Sequence, residues 1–262
     1  FRLVGDDTAA ATLDNASFRA RSGLRLPGQA QLELQYASGR GRALDLRGGS
    51  RARDERSWPE LRLAWSAVPI PAPLRSTIAA ASVSGGYQRR VEEEVLGGAE
   101  VRGGQLRARE ASTFPIQFNL TLTNGIVAAY TGTLTRGTGS DPTGNSEESG
   151  ATHAVSLTGT FLPPPAMRQK FSQPITAALR YNYQASRQCR FRTAALPGTT
   201  ELEGCVPFVD LLNRSLNLTL DTVLSDLNVG FQMSYVDRKT FVGTRAGSSS
   251  FQLGFFGQFR FS

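Results

Sequence analysis

One histidine, two cysteines, two methionines and two tryptophans are all that 262 residues hold of the scarcer side chains. Nucleophilic catalysis needs a nucleophile, a base and an orienting group in contact. With His153 alone, such a set would have to be assembled with a Ser and an Asn or Asp across an outer surface. The plainer role for His153 is that of an interfacial, aromatic-like residue. The chain has no Gly-rich phosphate loop, no H-E-x-x-H and no EF-hand pattern. These absences point away from an enzyme and imply no cofactor. Cys189 and Cys205 belong to no C-x-x-C pair, so a zinc site has too few ligands. In an oxidising compartment a loop disulfide is their natural state, with two separate thiols as the alternative.

Long apolar runs are missing too. A spanning helix needs about 20 consecutive apolar residues, and the longest stretch, "AVPIPAPL" (67–74), is broken by three prolines. Charged residues make up 19% of the chain, below the roughly 25% usual in soluble domains. Acidic residues are outnumbered, leaving a net charge of +7, but the arginines are scattered. The segment 39–56 carries six Arg beside three acids without a stacking aromatic. It reads as a solvated loop, so no nucleic-acid partner is expected. The acids Asp141, Glu147 and Glu148 of "GTGSDPTGNSEESG" (137–150) could cradle a calcium ion, but the plainer reading is a solvated loop. With no initiator methionine and no signal-peptide pattern, Phe1 reads as the start of a fragment.

What the chain has in quantity is alternation. Twenty-seven Gly and thirteen Pro punctuate segments in which apolar and polar residues take turns, the mark of a strand with two unlike faces. "SFRARSGLRL" sets Phe18, Ala20, Leu24 and Leu26 against Arg19, Arg21 and Arg25. "FPIQFNLTLT" sets Phe114, Ile116, Phe118, Leu120 and Leu122 against Gln117, Asn119 and Thr121. The same pattern recurs in Leu61, Leu63 and Trp65, in Leu179, Tyr181 and Tyr183, in Leu216, Leu218 and Leu220, and in Phe231, Met233 and Tyr235. It closes with Phe251, Leu253, Phe255, Phe259 and Phe261 against Gln252, Gln258 and Arg260, with Phe256 and Gly257 out of pattern. About eleven strands result.

Their connections alternate short and long. The short ones are Pro27-Gly28, 68–76, Asn124-Gly125, 162–174 and 223–226. The long polar ones are 39–57, 93–111, 137–151, 187–208 and 238–249. A sandwich has no reason to sort its connections in this way, whereas an up-and-down membrane barrel has tight turns on one rim and long loops on the other. The expected fold is therefore all-β: an antiparallel up-and-down transmembrane β-barrel with 11–12 strands in residues 1–262. The apolar rows would face lipid, and Arg19, Arg21, Arg62, Arg180 and Arg260 a wet interior. A two-residue turn at Asn124-Gly125 would pair Leu122 with Val127 and turn Tyr130 and Leu134 inward; a bulge there would reverse them. An odd strand count implies that the chain is one segment of a longer barrel, since single-chain bacterial barrels have even counts.

Several stretches resemble the C-terminal barrel region of the SprA family, the outer-membrane translocons of type IX secretion that also support gliding motility. They are "SWPELRLAW" (57–65) with "SGGY" (84–87), "FNLTLTNGI" (118–126) with "SDPTG" (140–144), and "SLTGTF" (156–161). "LNLTLDTVLSDLNVGFQMSY" (216–235) and the closing 241–262 complete the set. The resemblance implies the outer membrane of a diderm bacterium. It also implies as partners membrane lipid, upstream strands of the same protein, secreted proteins and secretion-system subunits. A passive porin or a surface-binding barrel is the alternative reading.

Overall fold

The computed structural model describes residues 12–44, 50–98, 101–163, 173–191, 205–224, 227–243 and 246–259. They form eleven strands: β1 (Thr12–Leu26), β2 (Ala30–Leu44), β3 (Ser50–Trp65), β4 (Ile78–Gly98), β5 (Val101–Leu122), β6 (Val127–Asp141), β7 (Gly144–Phe161), β8 (Ile175–Arg190), β9 (Val206–Leu224), β10 (Leu227–Thr240) and β11 (Ala246–Phe259). Each pairs antiparallel with the next, in chain order, and the sheet is one open meander in which β1 and β11 are not joined. The chain is thus all-β and up-and-down. Its short connections at 27–29 and 72–74 contain single 3₁₀ turns.

The register explains the alternation. One row of directly opposed residues crosses the whole sheet: Leu26, Ala30, Trp65, Val83, Phe118, Tyr130, Val155, Tyr181, Leu216, Tyr235 and Phe251. Opposed residues share a face, so eleven apolar or aromatic side chains stand in line. The adjacent row, on the other face, is Arg25, Gln31, Ala64, Ser84, Gln117, Thr131, Ala154, Asn182, Ser215, Val236 and Ser250. Register and sequence period therefore agree across ten strand pairs. A one-residue slip anywhere would interleave the two classes.

The rows also run obliquely to the sheet's ends. The row that begins at Leu26, the last residue of β1, reaches β11 at Phe251, and β11 continues eight residues further, to Phe259. That offset is about 26 Å along the strands over ten spacings of about 4.8 Å, a tilt of roughly 30°. Closed barrels require such a stagger, with strands tilted about 35–45°. The sheet thus has the stagger a barrel wall needs.

The structure corrects the sequence reading in two places. At 123–125 the connection has three residues, not two. Gly125 adopts φ +83°, and the Leu122 N–H donates to the Ile126 carbonyl at 2.8 Å. The extra residue shifts the register so that Phe118 faces Tyr130 and Phe114 faces Leu134. Tyr130 and Leu134 therefore belong to the apolar face. Second, the expected loops are mostly strand. Segment 93–111 is consumed by β4 and β5 apart from 99–100, and 137–151 is a hairpin turning at Pro142–Thr143. β2 and β3 likewise reach into 39–57, β8 and β9 into 187–208, and β10 and β11 into 238–249. Charged residues paired across strands hold these polar extensions in the ladder. Phe256, out of step in the sequence, accordingly lies on the polar side, its ring over Gly230.

Among the described residues there is no second layer: apart from Pro163, the buried apolar side chains are Ala30 and Cys189, and none is completely enclosed. The accessible surface is 19237 Å² for a 28.3 kDa chain, against about 11,000 Å² for a compact monomer of that mass. Phe255 is 80% exposed and Leu253 56%. An apolar face of this extent requires an apolar medium. From Phe114 to Leu122 the β5 band runs about 26 Å along the strand, which at this tilt is close to an apolar band about 25 Å tall.

Leu218 and Met233 are opposed on the apolar face, and Asn217 and Ser234 on the other. Leu218→Arg or Phe231→Arg is expected to cost about 2–4 kcal/mol of folding into bilayers. Asn217→Arg and Gln232→Arg should leave it nearly unchanged. Folded fraction in lipid vesicles against denaturant measures this, and equal losses on both faces would contradict the facing.

Candidate functional site: a charged rim above an aromatic belt

Beyond the apolar band, the strand extensions at the long-connection rim carry ion pairs on the polar face. Arg51 pairs with Glu94, Arg53 with Glu92 (2.8 Å), and Arg90 with Glu55 (2.7 Å). Both oxygens of Glu148 on β7 accept from Arg109 on β5, at 2.6 and 2.8 Å. This bridge passes over β6, and Gly137 makes it possible. A Cβ at that position would stand 2.5 Å from Glu148 Oε1. Arg190 reaches Asp141 at 3.4 Å. Two grooves of about 430 Å³ lie between these rungs. One is lined by Arg53, Arg90, Glu92 and Arg109, the other by Glu94, Arg107, Asp141 and Glu148. The rim can thus hold water and polar chain segments against a surface of alternating sign.

The acids once considered for calcium do not converge. Glu147 and Glu148 are neighbours in a strand and point to opposite faces. Glu148 is held by Arg109, and Asp141 by Thr143 and Arg190. Among the described residues the one group with metal-ligand proximity is Glu147, Cys189 and Cys205, whose two sulfurs are joined in a disulfide with Cα atoms 5.3 Å apart. The bond ties the end of β8 to the start of β9.

On the apolar face, rings mark where the band gives way to charge. Tyr36 lies between Phe18 and Trp58, with centroids at 6.1 and 5.9 Å. Tyr87 meets Phe114 at 4.7 Å. His153 sits between Tyr130 and Tyr183, and its Nδ1 shares a 2.8 Å hydrogen bond with the Tyr130 hydroxyl. Arg214 stacks over Tyr183 at 5.7 Å. The groups in contact with His153 are thus aromatic, as an interfacial residue requires.

The cations expected to line an interior share the polar face. Arg19 stands opposite Ala37, and Arg180 between Ser156 and Asn217. Arg21 pairs with Glu33, and Arg62 with Glu60. Phe251, Leu253 and Phe255 share the face of Tyr235, Met233 and Phe231. Phe259 ends β11 opposite Leu227. Arg260 and Phe261 lie outside the described residues. The rim ladder was not anticipated. Its signal was the charged set Arg51, Arg53 and Glu55 on the same face as Arg90, Glu92 and Glu94, whose diagonal pairing shows only once β3 and β4 are set in register.

No family model matches the chain, and no curated protein does. Among solved structures it is similar to the alcaligin outer membrane receptor FauA of Bordetella pertussis, with TM-score 0.54 and 14% identity over 94% of this chain. The match covers 38% of the receptor, so this chain spans well under half its length. Likeness at this identity concerns the fold: the sheet is built like part of an outer-membrane barrel wall.

Two outcomes follow at the rim. The Thr143 hydroxyl and backbone N–H donate to Asp141, and with Arg190 and Arg107 they hold its carboxyl below the usual carboxylate range. A depressed carboxyl stabilises the turn above its unfolded pKa of about 3.9 and loses that effect as pH falls through the folded value. Amide-exchange protection at 141–144 should therefore decline at lower pH than an ordinary carboxylate would give, and Thr143→Val should bring the decline to higher pH. An unchanged profile in the variant would contradict the linkage. Cys189→Ser with Cys205→Ser should cost about 3 kcal/mol in the chain-entropy account and expose the β8–β9 hairpin to protease. Quantitative alkylation of both thiols in unreduced protein would contradict the bond.

Proposed function

We propose that this chain is the wall of an outer-membrane barrel of the SprA type, a protein-conducting translocon of type IX secretion. Its apolar face meets lipid and its polar face, with Arg19, Arg21, Arg62 and Arg180, meets a wet interior. The observation that carries this reading is the parity of the open sheet. In an eleven-strand meander β1 and β11 run the same way, so joining them would create a parallel seam. Two copies placed side by side in one membrane orientation would meet in the same parallel seam. An antiparallel closed wall therefore takes an odd number of further strands, and upstream strands of the same protein provide them. Closure is obligatory in lipid, where each unpaired backbone group costs several kcal/mol. The resemblance of 57–65, 118–126, 156–161, 216–235 and 241–262 to SprA supplies the identity of the larger barrel.

In this role the protein performs no bond chemistry. The wall excludes lipid from the conduit, and ion-paired rungs keep its mouth rigid and wet while a polypeptide passes. Secreted proteins and secretion-system subunits are the partners. A surface-binding receptor is the second reading, favoured by the likeness to a receptor barrel.

In full-length protein, deleting 246–259 should abolish outer-membrane assembly, because β10 would then present an unpaired edge to lipid. Shortening the 137–150 hairpin should leave assembly intact. Depletion of the protein should then stop the appearance of secreted proteins at the cell surface while other outer-membrane proteins still assemble. Normal secretion, with loss of uptake of a small ligand when the rim hairpins are trimmed, would favour the receptor.

A further inference from the structure

On the polar face, Arg51, Arg53, Arg90, Arg109 and Arg190 are each ion-paired. On the opposite face, Arg136 and Arg187 make no hydrogen bond or ion pair among the described residues, and both are exposed. They lie on one register row, either side of Ser149, about 10 Å apart at two strand spacings. A groove of about 540 Å³ runs between them, bounded by Glu110, Glu147 and the disulfide.

The neighbouring acids leave these cations available. Glu110 is held by Arg89 at 2.7 Å. Glu147 stands opposite Cys189, and Asp210 opposite Arg187, without an ion pair. Toward the apolar band, the next row contains Leu134, Ala151 and Ala185, and the two alanines leave the surface low beside Arg187. After it comes the row of Gly132, His153, Tyr183 and Arg214. The backbone positions of the two arginines thus stand about 13 Å along the strands beyond the ring belt. Long side chains can bend back across roughly half of that span.

From this we infer that Arg136 and Arg187 form a binding site for the phosphate of a lipid headgroup in the leaflet on the long-connection side. The inference rests on the lipid-facing reading of the apolar face. Tyrosine rings settle at headgroup level, so guanidinium groups bent back toward them reach the outer edge of the headgroup layer, and guanidinium binds phosphate through paired N–H donors. Basic clusters beside a membrane surface attract anionic headgroups in the same way.

The test uses the full-length protein, extracted from membranes in detergent. Native mass spectrometry would measure its retention of bis-phosphorylated lipid A, of the dephosphorylated lipid, and of inorganic phosphate alone. Preferential retention of the phosphorylated lipid is expected, weakened about thirtyfold in Arg136→Gln/Arg187→Gln. Arg107→Gln, on the other face, should leave it unchanged. Equal retention of both lipids, or an unaffected double variant, would overturn the site. Displacement of the lipid by equimolar inorganic phosphate would assign the arginines to a free anion and overturn it as well. Heat-dependent gel migration of the same samples separates the two readings. A wild-type protein that never folds in detergent or vesicles defeats the membrane reading and this site with it. A folded barrel with unselective lipid retention defeats this site alone.

Discussion

A single layer of sheet has only its own ladder to hold it. Ten antiparallel pairings in strict chain order satisfy the backbone of every interior strand, and among the described residues no helix or second sheet covers either face. Two consequences follow from that one constraint. The apolar face must find its partner outside the chain, and the two outer strands must find theirs beyond β1 and β11. A hydrocarbon bilayer answers the first need because it asks nothing of polar groups already paired within the wall. Barrel closure answers the second. The oblique course of the rows ties the two together, since a staggered sheet of tilted strands curves naturally toward closure.

The long extensions show how a wall continues where apolar rows stop. Above the ring belt the cross-strand pairs change from Leu–Leu and aromatic pairs to Arg–Glu. Exposed ion pairs are individually weak, about 0–1 kcal/mol, so these pairs neutralise the rim more than they add stability. The pairs are diagonal: Glu55 stands directly opposite Glu92, and each takes an arginine from a neighbouring rung. The Arg109–Glu148 bridge extends the same logic across an intervening strand, where Gly137 leaves the path clear. The Cys189–Cys205 bond acts where β8 and β9 are offset by a register shift between Gln188 and Cys189.

The two faces also treat arginine differently. On the polar side of the extensions the guanidinium groups mostly meet carboxylates of the same sheet. On the other side Arg40 and Arg56 share Asp54, and Arg89 holds Glu110, while Arg136 and Arg187 are left for something outside the protein. A polar interior can be organised by the wall alone. A lipid boundary is shared with molecules whose charge is negative.

The sequence by itself determined the strand number and the alternation of the two faces, but not the lengths of the connections. A side-chain period of two is written directly in the order of residues such as Leu216, Leu218, Leu220 against Asn217 and Thr219. What it left open depended on distant partners. The facing of Tyr130 and Leu134 turned on one residue in the Thr123–Gly125 turn, because a single insertion reverses every side chain after it. The polar segments 93–111 and 137–151 have no apolar alternation, so only pairing across strands revealed them as ladder: the carboxylates that neutralise their arginines lie on other strands. His153 could not be placed from its neighbours in sequence, because the rings that enclose it, Tyr130 and Tyr183, arrive from strands on either side.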